Sequence, residues 1–252
     1  MAVEQLVVTA DHQKEIQNGK ILHAINDEFG GVIVEVNEPM DPNVFHSKLK
    51  TSVSHWRRQG KKGVWIKLPI KLVSLVEPAV KEGFWYHHAE PSYSMLVYWI
   101  PIRGNTLPAN ATHRVSIGAF VMNKNREVLV VKEKIGNLQG MWKFPTGTVN
   151  QGENIRDAAV REVKEETGID SEFMEILSFK ERHKAFFEKS DIFFVCILQP
   201  KSFDIQIQES EIEGAKWMPL EKYVTQEYVQ NNKFMKDVTE KYREKVDGVS
   251  KN

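Results

Sequence analysis

The sequence predicts an α+β protein in two parts. A smaller α+β module covers residues 1–105, and an α/β/α sandwich with a mixed sheet covers residues 112–225, followed by a C-terminal helix and tail over residues 226–252. Three observations carry this reading. The chain has 252 residues, more than one average domain needs. The stretch Pro101 to Thr112 (PIRGNTLPANAT) has turn formers and no hydrophobic period, so it reads as a linker between two patterned regions. In the second region, strand-like runs surround one long acid-rich helical stretch.

Composition narrows the function. Hydrophobic residues make up 41% and charged residues 27%, the balance of a folded chain rather than a disordered one. Lys plus Arg number 34 and Asp plus Glu number 34, so no overall field draws nucleic acid or an anionic membrane. No apolar run approaches the roughly 20 residues of a spanning helix. Cys196 is the one cysteine, which excludes an intramolecular disulfide and a Cys-based zinc site. With no signal- or transit-peptide plan at the N-terminus, a cytoplasmic protein is expected.

The elements follow in order. Ile21 to Ile25 and Val32 to Val36 flank Asp27-Glu28-Phe29-Gly30-Gly31 and read as a hairpin. Asp41-Pro42 starts a helix carrying Phe45, Leu49, Val53 and Trp56 at helical spacing, and Gly60 ends it. Gly63 to Leu68 is a buried strand, and Ile70 to Lys81 a second helix distorted by Pro78. Phe84 to His88 and Tyr93 to Ile100 complete the first module. The second opens with Val115, Ile117, Ala119 and Val121 in alternation, then Val128 to Val131 and Trp142 to Thr148. A helix over Glu153 to Thr167 follows. Strands around Phe173 to Phe179, Ile192 to Leu198 and Ile212 to Met218 precede a polar helix over Asn231 to Val246, with the all-apolar Ile192 run in the sheet centre.

The chemistry is concentrated between Gly147 and Ile169. On a helix advancing about 100° per residue, Asn154, Asp157, Arg161 and Lys164 form a solvent stripe, while Ala159, Val160 and Val163 face the sheet. Glu162, Glu165 and Glu166 crowd together, and each like-charge pair costs about 0.2–0.5 kcal/mol even on an open helix. In a cleft that cost rises unless a cation compensates it. Hard oxygen ligands without His or Cys favour Mg²⁺ or Mn²⁺ over zinc. Arg161 can pair with Glu165 or Glu153, Gly147 and Gly152 allow a tight loop, and Gly168 can cap the helix in the left-handed region.

The string Gly147-x5-Glu153-x7-Arg161-Glu162-Val163-x-Glu165-Glu166-x-Gly168-Ile169 fixes nine positions over 23 residues and matches the Nudix box in full. The segments GKKGVWIKLP, VEPAVKEGFWYHHAEP, MLVYWIP, LPANATHRV, SDIFFVCIL and AKWMPL extend the resemblance over residues 20 to 220. They resemble plant cytosolic Nudix hydrolases, and within them the subgroup acting on ADP-ribose and NADH. The resemblance implies a Nudix fold, a divalent metal and a small-molecule diphosphate substrate. ADP-ribose would yield AMP and ribose 5-phosphate; NADH would yield AMP and the reduced mononucleotide. Hydrolysis of terpenyl diphosphates and non-catalytic nucleotide binding are the alternatives. Carried over by position, Glu162, Glu165 and Glu166 are metal ligands, Glu153 is an outer ligand and Arg161 orients them. The general base is a Glu of the box helix or, in a later loop, Glu209 or Glu211, with Glu211 preferred. Gly147, Lys143, His183 and Phe186 are the candidate substrate residues. Where the subgroup has Arg-Gln, this chain has Lys180-Glu181, exchanging a forked cation for a point charge.

Adjacent His87 and His88 on a strand should face opposite ways and not chelate together. Trp142 is expected in the core, Cys196 as an inert buried thiol, and Lys132 and Lys134 as solvated charges. The strand–helix–strand plan of the first module resembles part of an acetyltransferase domain, but no Gly-rich acyl-CoA loop accompanies it. Its aromatic content predicts a homodimer. Light scattering at micromolar concentration should report twice the 29.1 kDa chain mass, and a monomer alone contradicts it.

Overall fold

The computed structural model describes residues 20–136 and 138–248. The polar N-terminal stretch read above lies outside them. The chain divides into two compact units, Met1–Asn110 and Ala111–Asn252.

In the first unit, β1 (Ile25–Asn26), β2 (Val32–Glu35), β3 (Gly63–Pro69), β4 (Trp85–Glu90) and β5 (Tyr93–Trp99) form one sheet in the order β1-β2-β3-β5-β4. β2 and β3 run parallel, and helix α1 (Pro42–Arg58) lies between them in sequence. Asp41 caps α1 by accepting from the amides of Asn43 at 2.9 Å and Val44 at 3.1 Å. Its stripe of Phe45, Leu49, Val53 and Trp56 is buried in one cluster with Val34, Val64, Ile66 and Leu96.

Two expectations for this unit need correction. The first hairpin strand is only two residues long, and buried Ile21 and Leu22 precede it outside the ladder. The second helix is split into a 3₁₀ segment (Ile70–Leu75) and α2 (Val76–Lys81), with the irregular backbone at Leu72 (φ −109°, ψ 26°). Pro78 is harmless because it sits in the first turn of α2, where no amide hydrogen is required. The stretch after Pro101 holds no helix or strand, and its first part lies on this unit: Leu107 lies against Gly63, and the Pro108 carbonyl is 2.9 Å from His87 Nε2.

In the second unit, β6 (His113–Val121), β8 (Thr146–Thr148), β9 (Ser171–Phe186) and β10 (Lys189–Pro200) form a sheet in the order β8-β6-β10-β9. β10 pairs parallel with β6 and antiparallel with β9, so the sheet is mixed. β7 (Glu127–Glu133) and β11 (Ile212–Pro219) form a separate antiparallel pair. Strand alternation supplies the layers. Ile117, Ala119 and Val121 of β6 pack with Ala158, Ala159 and Val163 of helix α3 (Ile155–Thr167). Phe120 faces the other way, into a cluster with Val195, Ile197 and the C-terminal segment.

That segment comprises α4 (Leu220–Val224), α5 (Glu227–Asn231) and α6 (Lys233–Val246). α6 reads as polar, yet Met235, Val238 and Tyr242, three and four residues apart, are buried against Phe120. Each such side chain contributes roughly 1.5–3 kcal/mol on burial, enough to hold a helix of otherwise charged composition. β9 runs past Phe179 to Phe186 because its second half pairs with the first half of β10. Gly118 is the tightest point of this layer: a Cβ there would lie 2.2 Å from Phe144 Cε2 and 2.7 Å from Phe193 Cζ. Gly118→Ala should therefore lower unfolding free energy by about 1–3 kcal/mol. Urea denaturation checks this, and an unchanged midpoint means the two rings yield freely.

Candidate active site

The acids of the box sit where β8 gives way to α3. Glu153 belongs to the loop before α3 rather than to the helix, and one of its oxygens accepts from the Asn150 amide at 2.8 Å. Gly152 turns that loop at φ 78°, and Gly168 closes α3 at φ 72° with its amide donating to the Lys164 carbonyl at 2.9 Å. Gly147 does something other than turn. It lies in β8 with the Glu162 carboxyl directly over it, so close that an added Cβ would stand 1.8 Å from Glu162 Cδ.

Arg161 is not on a solvent stripe. Its Nε donates to Glu153 Oε1 at 2.7 Å and its Nη2 to Glu153 Oε2 at 2.9 Å, a bidentate pair. Nη1 reaches Glu162 Oε1 at 2.8 Å and Glu165 Oε2 at 3.0 Å, and Nη2 also reaches the Thr148 carbonyl at 3.0 Å. The pairing of Arg161 with Glu153 or Glu165 that the sequence offers is thus present with both acids, and the side chain is half-buried rather than in a solvent stripe because the loop carrying Glu153 folds back over the helix. The Arg161 guanidinium holds Glu153 down at about 2, and the acids in turn raise Arg161. Glu162 is raised, because burial outweighs the Arg161 contact.

Glu166 is the exception among the four acids. It is buried, and its Oε2 has no hydrogen-bond partner. Burial pushes its carboxyl up to about 8, against the pull of nearby Lys143 and with further push from Glu162 and Glu133. Lys143 is not solvated: it is buried, pairs with Glu133 Oε1 at 2.6 Å and donates to Thr146 Oγ1 at 2.5 Å. Among the described residues, no three His, Cys, Asp or Glu side chains converge as placed in a way that could hold an ion. Arg161 engages Glu153, Glu162 and Glu165. Even so, an orphaned buried carboxylate oxygen among hard oxygen donors fits a divalent cation of the Mg²⁺ type. Glu162, Glu165 and Glu166 could hold it, with Glu153 farther out.

Beside these acids opens a cleft of about 340 Å³. Gly147, Lys143 and Phe186 line it, as the sequence anticipates. His183 is not part of its wall: it is exposed, with Nδ1 3.1 Å from Ser190 Oγ. Glu211 is exposed in the turn before β11, where its carbonyl accepts from the Lys134 amide at 2.9 Å. Among the described residues it makes no hydrogen bond or ion pair with the box acids. Lys180 lines the cleft, whereas Glu181 makes a 2.7 Å pair with His113, so only the first of the two exchanged residues faces the substrate space.

Other lining residues escape the sequence reading. Arg114, Ser116, Arg182 and Asp191 face the cleft, with Arg182 Nη2 and Ser116 Oγ each 2.6 Å from an Asp191 oxygen. Their signal is the strand period: Arg114/Ser116, Lys180/Arg182 and Asp191/Phe193 are each two apart on neighbouring strands. Tyr228, Asn232 and Phe234 arrive from the C-terminal segment, and nothing local in their sequence marks them. In the first unit, the β4–β5 pairing shifts register between Tyr86 and His88, so the two imidazoles meet at Nδ1···Nδ1 2.7 Å instead of facing apart. Trp142 is partly buried, with Lys216 Nζ 3.9 Å from its ring centroid, and Lys132 pairs with Glu213 at 2.5 Å. Burial pushes the Cys196 thiol up to about 12, so it is inert.

The raised Glu166 carboxyl gives a pH dependence of known sign. Folding favours its protonated form, so this contribution is complete below the unfolded value of 4.5 and is lost as pH rises through about 8. The Glu153 contribution is opposite: present above 4.5, lost as pH falls through about 2. The Tm of metal-free protein should therefore fall between about pH 5 and pH 9, and Glu166→Gln should flatten that fall. An equal slope in the variant removes the assignment.

Comparison with known proteins agrees with this geometry. Family profiles described as Nudix hydrolase domain and NUDIX domain match residues 22–100 and 112–240. Nudix hydrolase 2 of Arabidopsis thaliana is 59% identical over 230 residues, covering 90% of this chain and 83% of that protein. Nudix hydrolase 10 of the same plant is 54% identical over 237 residues, covering 91% and 84%. The mouse protein named nucleoside diphosphate-linked moiety X motif 6 is 39% identical over 203 residues, covering 77% and 64%. Among the described residues, no helix is long and apolar enough to cross a membrane. A box of four glutamates around one arginine, beside a cation-lined cleft and within these matches, makes the chain a member of the Nudix hydrolases, enzymes that use divalent cations on small-molecule diphosphates.

Proposed function

We propose that the enzyme hydrolyses the diphosphate bridge of nucleoside diphosphate-linked molecules, ADP-ribose and NADH among them, and releases AMP. The cation is Mg²⁺ or Mn²⁺, held by Glu162, Glu165 and Glu166 with Glu153 as the outer ligand. The observation that carries this reading is Glu166, a buried carboxylate with an unsatisfied oxygen next to a cleft lined by Arg114, Lys180 and Arg182. When bound, such an ion neutralises diphosphate charge and makes water a stronger nucleophile.

The protein's own groups supply the rest. Arg114, Lys180 and Arg182 attract and orient a diphosphate; Arg182 is already braced by Asp191 at 2.6 Å, which fixes its direction. Phe193 and Phe234, in edge contact at 6.3 Å, exclude water from one wall. Arg161 keeps Glu153, Glu162 and Glu165 at set positions, and Gly147 leaves the space the Glu162 carboxyl needs. Glu165, half exposed, is the group we assign to accept the proton from water; Glu211 is the alternative acceptor.

The test is AMP release from ADP-ribose and NADH, with coenzyme A and geranyl diphosphate alongside, each with Mg²⁺ and with Mn²⁺. AMP should appear from the first two. Hydrolysis of geranyl diphosphate alone transfers the function to terpenyl substrates. Glu165→Gln should lower kcat by about 10²–10⁴-fold while Glu211→Gln changes it little, and the reverse pattern moves the base to Glu211.

A further inference from the structure

The turn joining β9 to β10 is made of two residues, Phe187 and Glu188, with positive φ of 43° and 63°. A two-residue hairpin turn with both φ positive is the place where Asn-Gly is preferred, because bulky side chains are strained there. Lys184, at the irregular pairing just before the tip, adds φ 53°. Three of the four non-glycine residues with positive φ among the described residues thus fall in one five-residue tip. Folding gains little from Phe187 in return, for the residue is 86% exposed. A strained backbone that presents an uncovered aromatic ring points to a use in binding.

The surroundings say what the ring would meet. Phe187 stands edge-on to Phe186, centroids 4.6 Å apart, and Phe186 lines the cleft. The Arg114 guanidinium lies 4.2 Å from the Phe186 ring centroid and donates to Thr148 Oγ1 at 3.2 Å. Thr148 in turn presents its carbonyl to Arg161. From the tip to the box acids the order is therefore aromatic pair, cation, acid cluster. A nucleotide has the same order: planar base, then diphosphate. The charged side chains Arg114, Lys180 and Arg182 share this cleft with Phe186, Phe193 and Phe234, which suits a ligand that joins a charged diphosphate to a flat ring, and a base can stack on an exposed ring in wet surroundings.

We infer that Phe187, together with Phe186, forms a stacking edge for the aromatic base of the substrate, and that Phe187 is a specificity-determining residue for base-bearing diphosphates. The inference rests on the proposed hydrolysis of nucleoside diphosphate-linked molecules and adds the group that recognises the nucleoside.

Calorimetric titration of the full chain with AMP and with ribose 5-phosphate, in Mg²⁺, tests it on three proteins: wild type, Phe187→Ala, and Phe187→Asn with Glu188→Gly. AMP affinity should fall about 5–20-fold in both variants, with ribose 5-phosphate changed less than about two-fold. Only the double variant should gain thermal stability, about 2–4 °C, because it relieves the turn. The inference is overturned if wild type shows no AMP binding, if AMP affinity is unchanged in both variants, if both ligands weaken equally, or if the double variant changes oligomeric mass. Wild-type protein that binds AMP through Phe187 but leaves ADP-ribose intact defeats the proposed reaction alone. Protein that cleaves ADP-ribose with no dependence on Phe187 defeats this inference alone.

Discussion

Arg161 offers five N–H groups in one plane, and the local structure is arranged around where they point. Nε and Nη2 donate to Glu153, Nη1 donates to Glu162 and to Glu165, and Nη2 also reaches the Thr148 carbonyl. Without that fork, three carboxylates from a loop and a helix would repel one another in a partly desolvated pocket. With it, the loop before α3, the end of β8 and the first turns of α3 are tied at one point. Glu166 lies outside the arginine's reach and keeps a buried oxygen unsatisfied. The same crowding that Arg161 resolves for three acids stays unresolved for the fourth, and there the chemistry has its opening.

The rest of the second unit brings this point next to the cleft. Small residues Ala158 and Ala159 pack α3 with β6 residues on one face of the sheet, and the missing side chain of Gly147 lets the Glu162 carboxyl settle on β8. On the other face, larger rings fill the layer, including Phe120, Phe144 and Tyr223. Polar and aromatic side chains at alternate positions of β6, β9 and β10 then line the cleft. The acids thus follow the helical periodicity, and the cleft lining follows that of the strands.

That split explains how far the amino-acid sequence can be read. Spacing of three and four residues made the acidic helix, its Gly168 cap and the buried Ala–Val face legible, and Asp41-Pro42 marked α1 for equally local reasons. The pairing of Arg161 with Glu153 and Glu165 is legible too, but a helical wheel puts the side chain in the solvent stripe because it does not show Glu153 folding over it. The burial of Lys143 has no local signal, since its partner, Glu133, comes from another strand. The break at Leu72 went unseen while Pro78, a residue with a known effect in mid-helix, drew the attention it does not merit in a first turn. His87 and His88 meet only because a register shift overrides strand alternation. Tyr228 of α5 and Phe234 of α6 reach the cleft through the packing of the C-terminal segment in one cluster with Phe120, more than a hundred residues earlier. For Lys143, Tyr228 and Phe234 the missing information was long-range.

We propose that Glu166 is a neutral, buried acid near neutral pH until a divalent cation takes its proton's place. Calorimetric titration with Mg²⁺ or Mn²⁺ at pH 7, repeated in buffers of different ionisation enthalpy, counts the protons released on binding. With Glu166 at about 8, close to one proton should leave per ion, and Glu166→Gln should bring that number to about zero. Tight binding with no proton release in the unmodified enzyme, or the same release in the variant, would contradict it.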